Sequence, residues 1–145
     1  MQIGENAESL FQEMMAGKFD DLAEMIKPFL KMMGDNIVTE RPRLGGNFAI
    51  AQAIFSRSQR DMLREIVGPD LHFMVLSMTK ETQDKRLKAR HGDSVPEGLL
   101  DFFVKFSDKC ELAGEDEPNA HNIVITEDMT KEDVVKKVLE IAAKL

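Results

Sequence analysis

The chain has no tryptophan or tyrosine, a single cysteine, and apolar runs that stop at about nine residues. One cysteine, Cys110, excludes an internal disulfide and suits a reducing compartment, so a cytoplasmic location is expected. Runs that short fall well below the roughly 20 residues of a bilayer crossing, and the polar, acidic start lacks a secretory pattern, so no membrane partner is expected. The three histidines and the cysteine lie far apart, which leaves no metal-ligand spacing, and no Ser-His-Asp or Cys-His order has local support. The glycines form neither GxGxxG nor GxxxxGK followed by Ser or Thr, the two common phosphate cradles. Excess positive charge is missing too: 19 Lys and Arg stand against 26 Asp and Glu, net -7, which argues against a nucleic-acid partner.

What is present is a globular composition, 43% hydrophobic and 31% charged over 145 residues, sufficient for one domain with a real core. The chain is organised around Asn47–Arg90, where an apolar run, a basic amphipathic segment, a second apolar run and a second basic segment follow one another. Before it, residues 5–16 and 19–34 have helical periodicity, the second with Leu22, Met25, Ile26, Phe29, Leu30 and Met33 on one side. Pro28 should kink or restart that helix, and Gly34 is placed to end it. Six methionines from Met1 to Met33 would make a soft binding face or, as the simpler reading, fill core gaps. Residues 35–46 are the least regular part, with Arg41-Pro42-Arg43 and the turn at Gly45-Gly46; the two arginines face either solvent or an anion.

Phe48–Phe55 is apolar on both faces apart from Gln52 and fits a strand buried in a parallel sheet, although Ala49, Ala51 and Ala53 leave a helix open as the alternative. Ser56 caps a helix over 57–67 that ends at Gly68-Pro69. Leu71–Met78 is a second strand with His72 at its start, and Thr79 caps a helix over 80–90. A connection over 92–98 leads to a helix over 99–112, whose apolar side would hold Cys110 in the core. After an acidic loop come a short strand, Ile123–Thr126, and a last helix opened by Thr130 and Asp133 as a capping box, with Val134, Val135, Val138, Ile141 and Ala142 as its buried stripe. Two helices followed by three βα units predict an α/β fold with a small, mainly parallel sheet.

The chemistry sits in arginines at strand-to-helix junctions, on the side of an open α/β sheet where ligands bind. Arg57, Arg60 and Arg64 share one helix face by their spacing of three and four. Three like charges there require either an anionic ligand or neutralisation by Asp61 and Glu65. Lys85, Arg86, Lys88 and Arg90 form the densest positive cluster in the chain. Arginine suits phosphate because its planar fork makes two charge-assisted bonds.

The run IFSRSQRDMLREIVGPDLHFMVLSMTKETQDKRLKARHG resembles the middle of gluconate-kinase-type P-loop kinases, relatives of the shikimate and adenylate kinases. The shared features are Arg60-Asp61, Leu63-Arg64 and Arg86-Leu87-Lys88-Ala89-Arg90; EDEPNAHNIVITED and KPFL at 27–30 are looser echoes. The resemblance covers about 47–92 well and 115–145 loosely. It implies a three-layer α/β/α domain over 1–145, helical to residue 46, with βα units over 47–145 and a lid-like segment near 86–98. It also implies ATP-dependent phosphoryl transfer to a small acceptor, Arg86 and Arg90 near ATP, Arg57, Arg60 and Arg64 near the acceptor, and Mg²⁺ bridging donor phosphates. The family's phosphate loop and the strand before it have no counterpart here, and His91-Gly92-Asp93 departs from the family's lid motif. A truncated or degenerate homologue is therefore expected, without tight ATP binding by this chain, and no catalytic residue is assigned. The gap left by that central strand predicts direct pairing of 48–55 with 71–78, or an open slot that invites self-association or a partner strand. The alternatives are a non-catalytic interaction protein on the same scaffold and a phosphate-binding module without turnover.

Overall fold

The computed structural model describes residues 12, 16, 22–92, 98, 101 and 105–145. Among them are four helices, α1 (Leu22–Glu40), α2 (Arg57–Val67), α3 (Lys80–His91) and α4 (Lys131–Ala142), and two strands, β1 (Phe73–Met78) and β2 (Ala120–Ile125). The chain divides into two compact units, Met1–Leu71 with Lys105–Glu111, and His72–Val104 with Leu112–Leu145.

In the first unit α1 packs on α2. Leu30 and Ile37 of α1 and Leu63 of α2 are buried. Gly34 does not end the helix as its residue type predicts, and the expected irregular stretch begins six residues late, because α1 runs on to Glu40. The reason is close packing: a Cβ on Gly34 would lie 2.7 Å from Cγ2 of Ile66. A glycine inside a helix costs about 1 kcal/mol relative to alanine, and here it permits the approach of α2. Nothing in Asp35–Glu40 stops a helix; the stop comes from Pro42, which disfavours helical geometry at the residue before it. Leu30, Gly34 and Ile37 are buried and Ile26 and Met33 half-buried, while Met25 and Phe29 turn outward, so the apolar stripe predicted for α1 is rotated. Pro28 lies within the continuous helix.

The largest departure is at 48–55. It forms no strand, and Asn47–Ala53 are exposed. A strand exists only through a ladder, and alanines at alternate positions bring little packing to replace one. The chain re-enters order at Ser56, whose hydroxyl accepts from Gln59 N while Gln59 Oε1 accepts from Ser56 N, a reciprocal cap for α2. Gly68, at φ 104°, closes the other end with its N–H on the Arg64 carbonyl.

Among the described residues the second unit contains two βα steps, and the first of the three βα units predicted for the chain lacks its strand at 48–55. β1 and β2 pair in parallel, Phe73 with Ala120 through Met78 with Ile125, in keeping with the expected parallel sheet, and β2 begins three residues before the strand expected at Ile123–Thr126. Ile123 and Ile125 are buried under the sheet, and α4 packs against β2. Thr79 caps α3, and Thr130 with Asp133 forms the predicted capping box of α4. Only Val134, Val138 and Ile141 of the α4 stripe are half-buried; Val135 and Ala142 are exposed. The row at spacing four and three meets the sheet, and the neighbouring row faces away. Asn122 ties the preceding loop to β2 by accepting from Ala113 N at 2.9 Å and donating to its carbonyl at 2.8 Å.

The expected helix over 5–16 and much of that over 99–112 lie outside the described residues. Residues 105–107 are helical, and a turn at 108–109 leaves Cys110 beyond the helix, exposed and not in the core as predicted. Partial desolvation pushes its thiol above the ordinary value, which disfavours the reactive thiolate.

Candidate functional site

The two arginine clusters fall in different units. On α2, Arg60 is 1% exposed, and its Nη1 donates to the Glu111 carbonyl at 3.0 Å. The same Glu111 reaches the start of α2 twice more: its N–H donates to the Phe55 carbonyl at 2.6 Å, and its Oε2 accepts from Arg57 N at 2.7 Å. A carboxylate on the first amide of a helix meets both an unsatisfied donor and the positive end of the dipole. Phe106 adds an edge-to-face contact with Phe55, ring centroids 5.2 Å apart. The segment 105–111 is thus pinned to the head of α2.

Arg57 and Arg64 both turn to Asp61. Arg64 Nη1 donates to Asp61 Oδ1 at 2.6 Å, and Arg57 Nε lies 3.6 Å from Oδ2. Neutralisation by a carboxylate on the helix, one of the two readings of this face, is present through Asp61. The three arginines share a helix but differ in their contacts: Arg60 donates to the Glu111 carbonyl, and its neighbours brace the Asp61 carboxylate.

In the second unit α3 holds the turn that follows β2. Lys85 donates to both oxygens of Glu127 at 2.8 Å and lies 3.3 Å from Glu81. The hydrogen bond to Glu127, then that to Glu81, raises the lysine pKa. Arg86 Nη2 donates to the Met129 carbonyl at 2.6 Å and to the Thr126 carbonyl at 3.3 Å. Inside the turn, Thr126 Oγ1 donates to Asp128 Oδ1 at 2.6 Å and holds the carboxyl below its ordinary range. Arg90 is exposed one turn further along α3. The basic cluster therefore divides: Lys85 and Arg86 fasten the carboxyl end of β2 to α3, and Arg90 is open to solvent.

Arg86 directs its Nη2 at backbone carbonyls of its own unit, and among the described residues no group of three His, Cys, Asp or Glu is placed to hold a metal ion. Ser56 and Thr79 occupy the N-caps of α2 and α3, each accepting from the amide three residues on.

One pairing escaped the sequence. His72, just before β1, stacks on His121 of β2 with centroids 5.9 Å apart and planes 13° from parallel. His72 Nδ1 and His121 Nε2 are buried without a hydrogen bond. The signal was present as a histidine in second place of both LHFMV and AHNIV, but only the parallel register unites them. No helix among the described residues is long and apolar enough to cross a membrane. Comparison with protein-family models, with curated proteins and with solved structures finds no match to this chain.

Proposed function

We propose that the chain is built on the scaffold of a P-loop small-molecule kinase of the gluconate-kinase type and represents the acceptor-side and lid-base part of that scaffold. The observation that carries this reading is the parallel pairing of β1 with β2, each strand running into a capped helix and α3 bearing the RLKAR cluster at the carboxyl-end side. Open α/β sheets bind their ligands on that side. The layered P-loop arrangement, a cytosolic setting and a small phosphorylatable substrate belong to the same proposal. Because these 145 residues contain no GxxxxGK loop, no turnover by them alone is proposed. Titration calorimetry with Mg-ATP tests the reading. Measurable heat that falls when Arg90 is replaced by alanine supports it, and no heat with folded protein removes nucleotide binding from it.

A second reading is favoured by one specific feature. Arg60 is buried, and Arg57 and Arg64 are turned to Asp61, so these arginines serve structure at the place where a kinase would need them for substrate. A scaffold kept for interaction rather than catalysis fits that use. It predicts no heat with Mg-ATP and no change in any phosphate response when Arg57 is replaced.

A further inference from the structure

From Leu44 to Ser56 no side chain is charged, the longest such stretch in a chain of net charge -7. Its central residues are exposed, Ile50 to 50%, and none of residues 47–54 takes part in a hydrogen bond among the described residues. Unpaired backbone beside exposed apolar side chains is a template for another strand. The order Ile50-Ala51-Gln52-Ala53-Ile54 reads the same in both directions. Paired antiparallel about a two-fold axis through Gln52, a second copy of this order sets isoleucine opposite isoleucine and alanine opposite alanine.

We propose that two copies of this protein associate through these segments, paired antiparallel with Gln52 on the axis. Ile50 then faces Ile54 of the second copy, Ala51 faces Ala53, and the two Gln52 amides face each other with donors and acceptors to exchange. Small Ala49 lies opposite large Phe55. Ladder bonds fall on residues 50, 52 and 54, so Phe55 keeps its own bonds to Glu111 and Gln59. The flanking charges do not oppose the approach: Arg43 is paired with Glu40 at 2.8 Å, and Arg57 lies beside Asp61 at 3.6 Å. An isologous contact of this kind closes on itself and stops at the dimer.

Sedimentation equilibrium over roughly 1 to 200 µM, the window for a small interface, tests the proposal. A monomer–dimer equilibrium is expected. Gln52→Glu should weaken it at least tenfold, Gln52→Lys likewise, and a mixture of the two should restore a dimer, since like charges face each other in each variant alone and opposite charges in the mixture. In a Cys110→Ser background, Gln52→Cys should form a disulfide between copies, because facing residues in such a pair lie within disulfide range. Ala49→Cys should not, its two copies being about 20 Å apart in this register. All substituted positions are exposed, so far-UV circular dichroism should be unchanged. A monomer throughout the range, a dimer indifferent to Gln52→Glu, or open-ended polymers would each overturn the proposal.

Discussion

Arg60 Nη1 donates to the carbonyl oxygen of Glu111 across 3.0 Å, and through this contact the segment 105–111 is held on the start of α2. A guanidinium that is 1% exposed cannot meet a diffusing ligand. Its Nη1 is spent on a backbone acceptor of the same unit.

Replacing Arg60 with methionine keeps much of the apolar stem and removes the donor. The expected loss of stability is about 1–3 kcal/mol, the range for a hydrogen bond made by a charged donor. Urea denaturation measures it. A change below about 0.3 kcal/mol would show that the contact adds nothing.

Gly34→Ala separates two opposing effects. Helix propensity favours alanine by about 1 kcal/mol, whereas crowding in a packed contact costs about 1–3 kcal/mol. With the new Cβ 2.7 Å from Ile66 Cγ2, crowding should win and the variant should melt lower. In an Ile66→Ala background the same substitution should become neutral or stabilising. The double-mutant cycle reads out that reversal.

Arg86→Lys keeps the charge but cannot bridge Thr126 and Met129 with one planar nitrogen. Faster amide exchange is expected over 126–130, with the α1–α2 contact untouched. Uniform exchange rates in both proteins would remove Arg86 as the fastening of this turn.

The turn should also give the second unit a pH dependence. Asp133 is held below its ordinary range by the Thr130 backbone N–H and then by the Thr130 hydroxyl, and Asp128 by Thr126. Carboxyls depressed in the folded state contribute stability that is present above their unfolded value, about 3.9, and lost as pH falls through the folded one. Lys85 works at the other end: its raised value means a contribution present below about 10.4 and lost as pH rises through the folded value. Asp133→Asn should flatten the acid limb of melting temperature against pH and leave the alkaline limb alone.

The sequence revealed best what local chemistry controls. The limits of α2 and α3, and the opening of α4, follow from Ser56, Gly68, Thr79 and Thr130, whose side chains and φ preferences act within a few residues. A parallel sheet was legible from the apolar runs at 71–78 and 123–126, although not which strands would pair. Gly34 misled because a glycine marks either a helix end or a close approach, and only Ile66, 32 residues away, decides between them. The segment 48–55 misled for a similar reason: apolar composition states that a surface is to be covered, not by what. For the arginines the spacing gave a shared helix face but not the destination of each guanidinium, which depends on Glu111 in one unit and Met129 in the other.

The register of the two strands also sets an order of events in time. Phe73 pairs with Ala120, 47 residues later, so β1 has no ladder until that length has left the ribosome. At about 5–20 residues per second, the interval is roughly 2–9 seconds. Helices α1 and α2, already made by then, can meet through Gly34 and Ile66 long before the sheet exists. For those seconds Phe73–Met78 is a nascent strand with both edges bare.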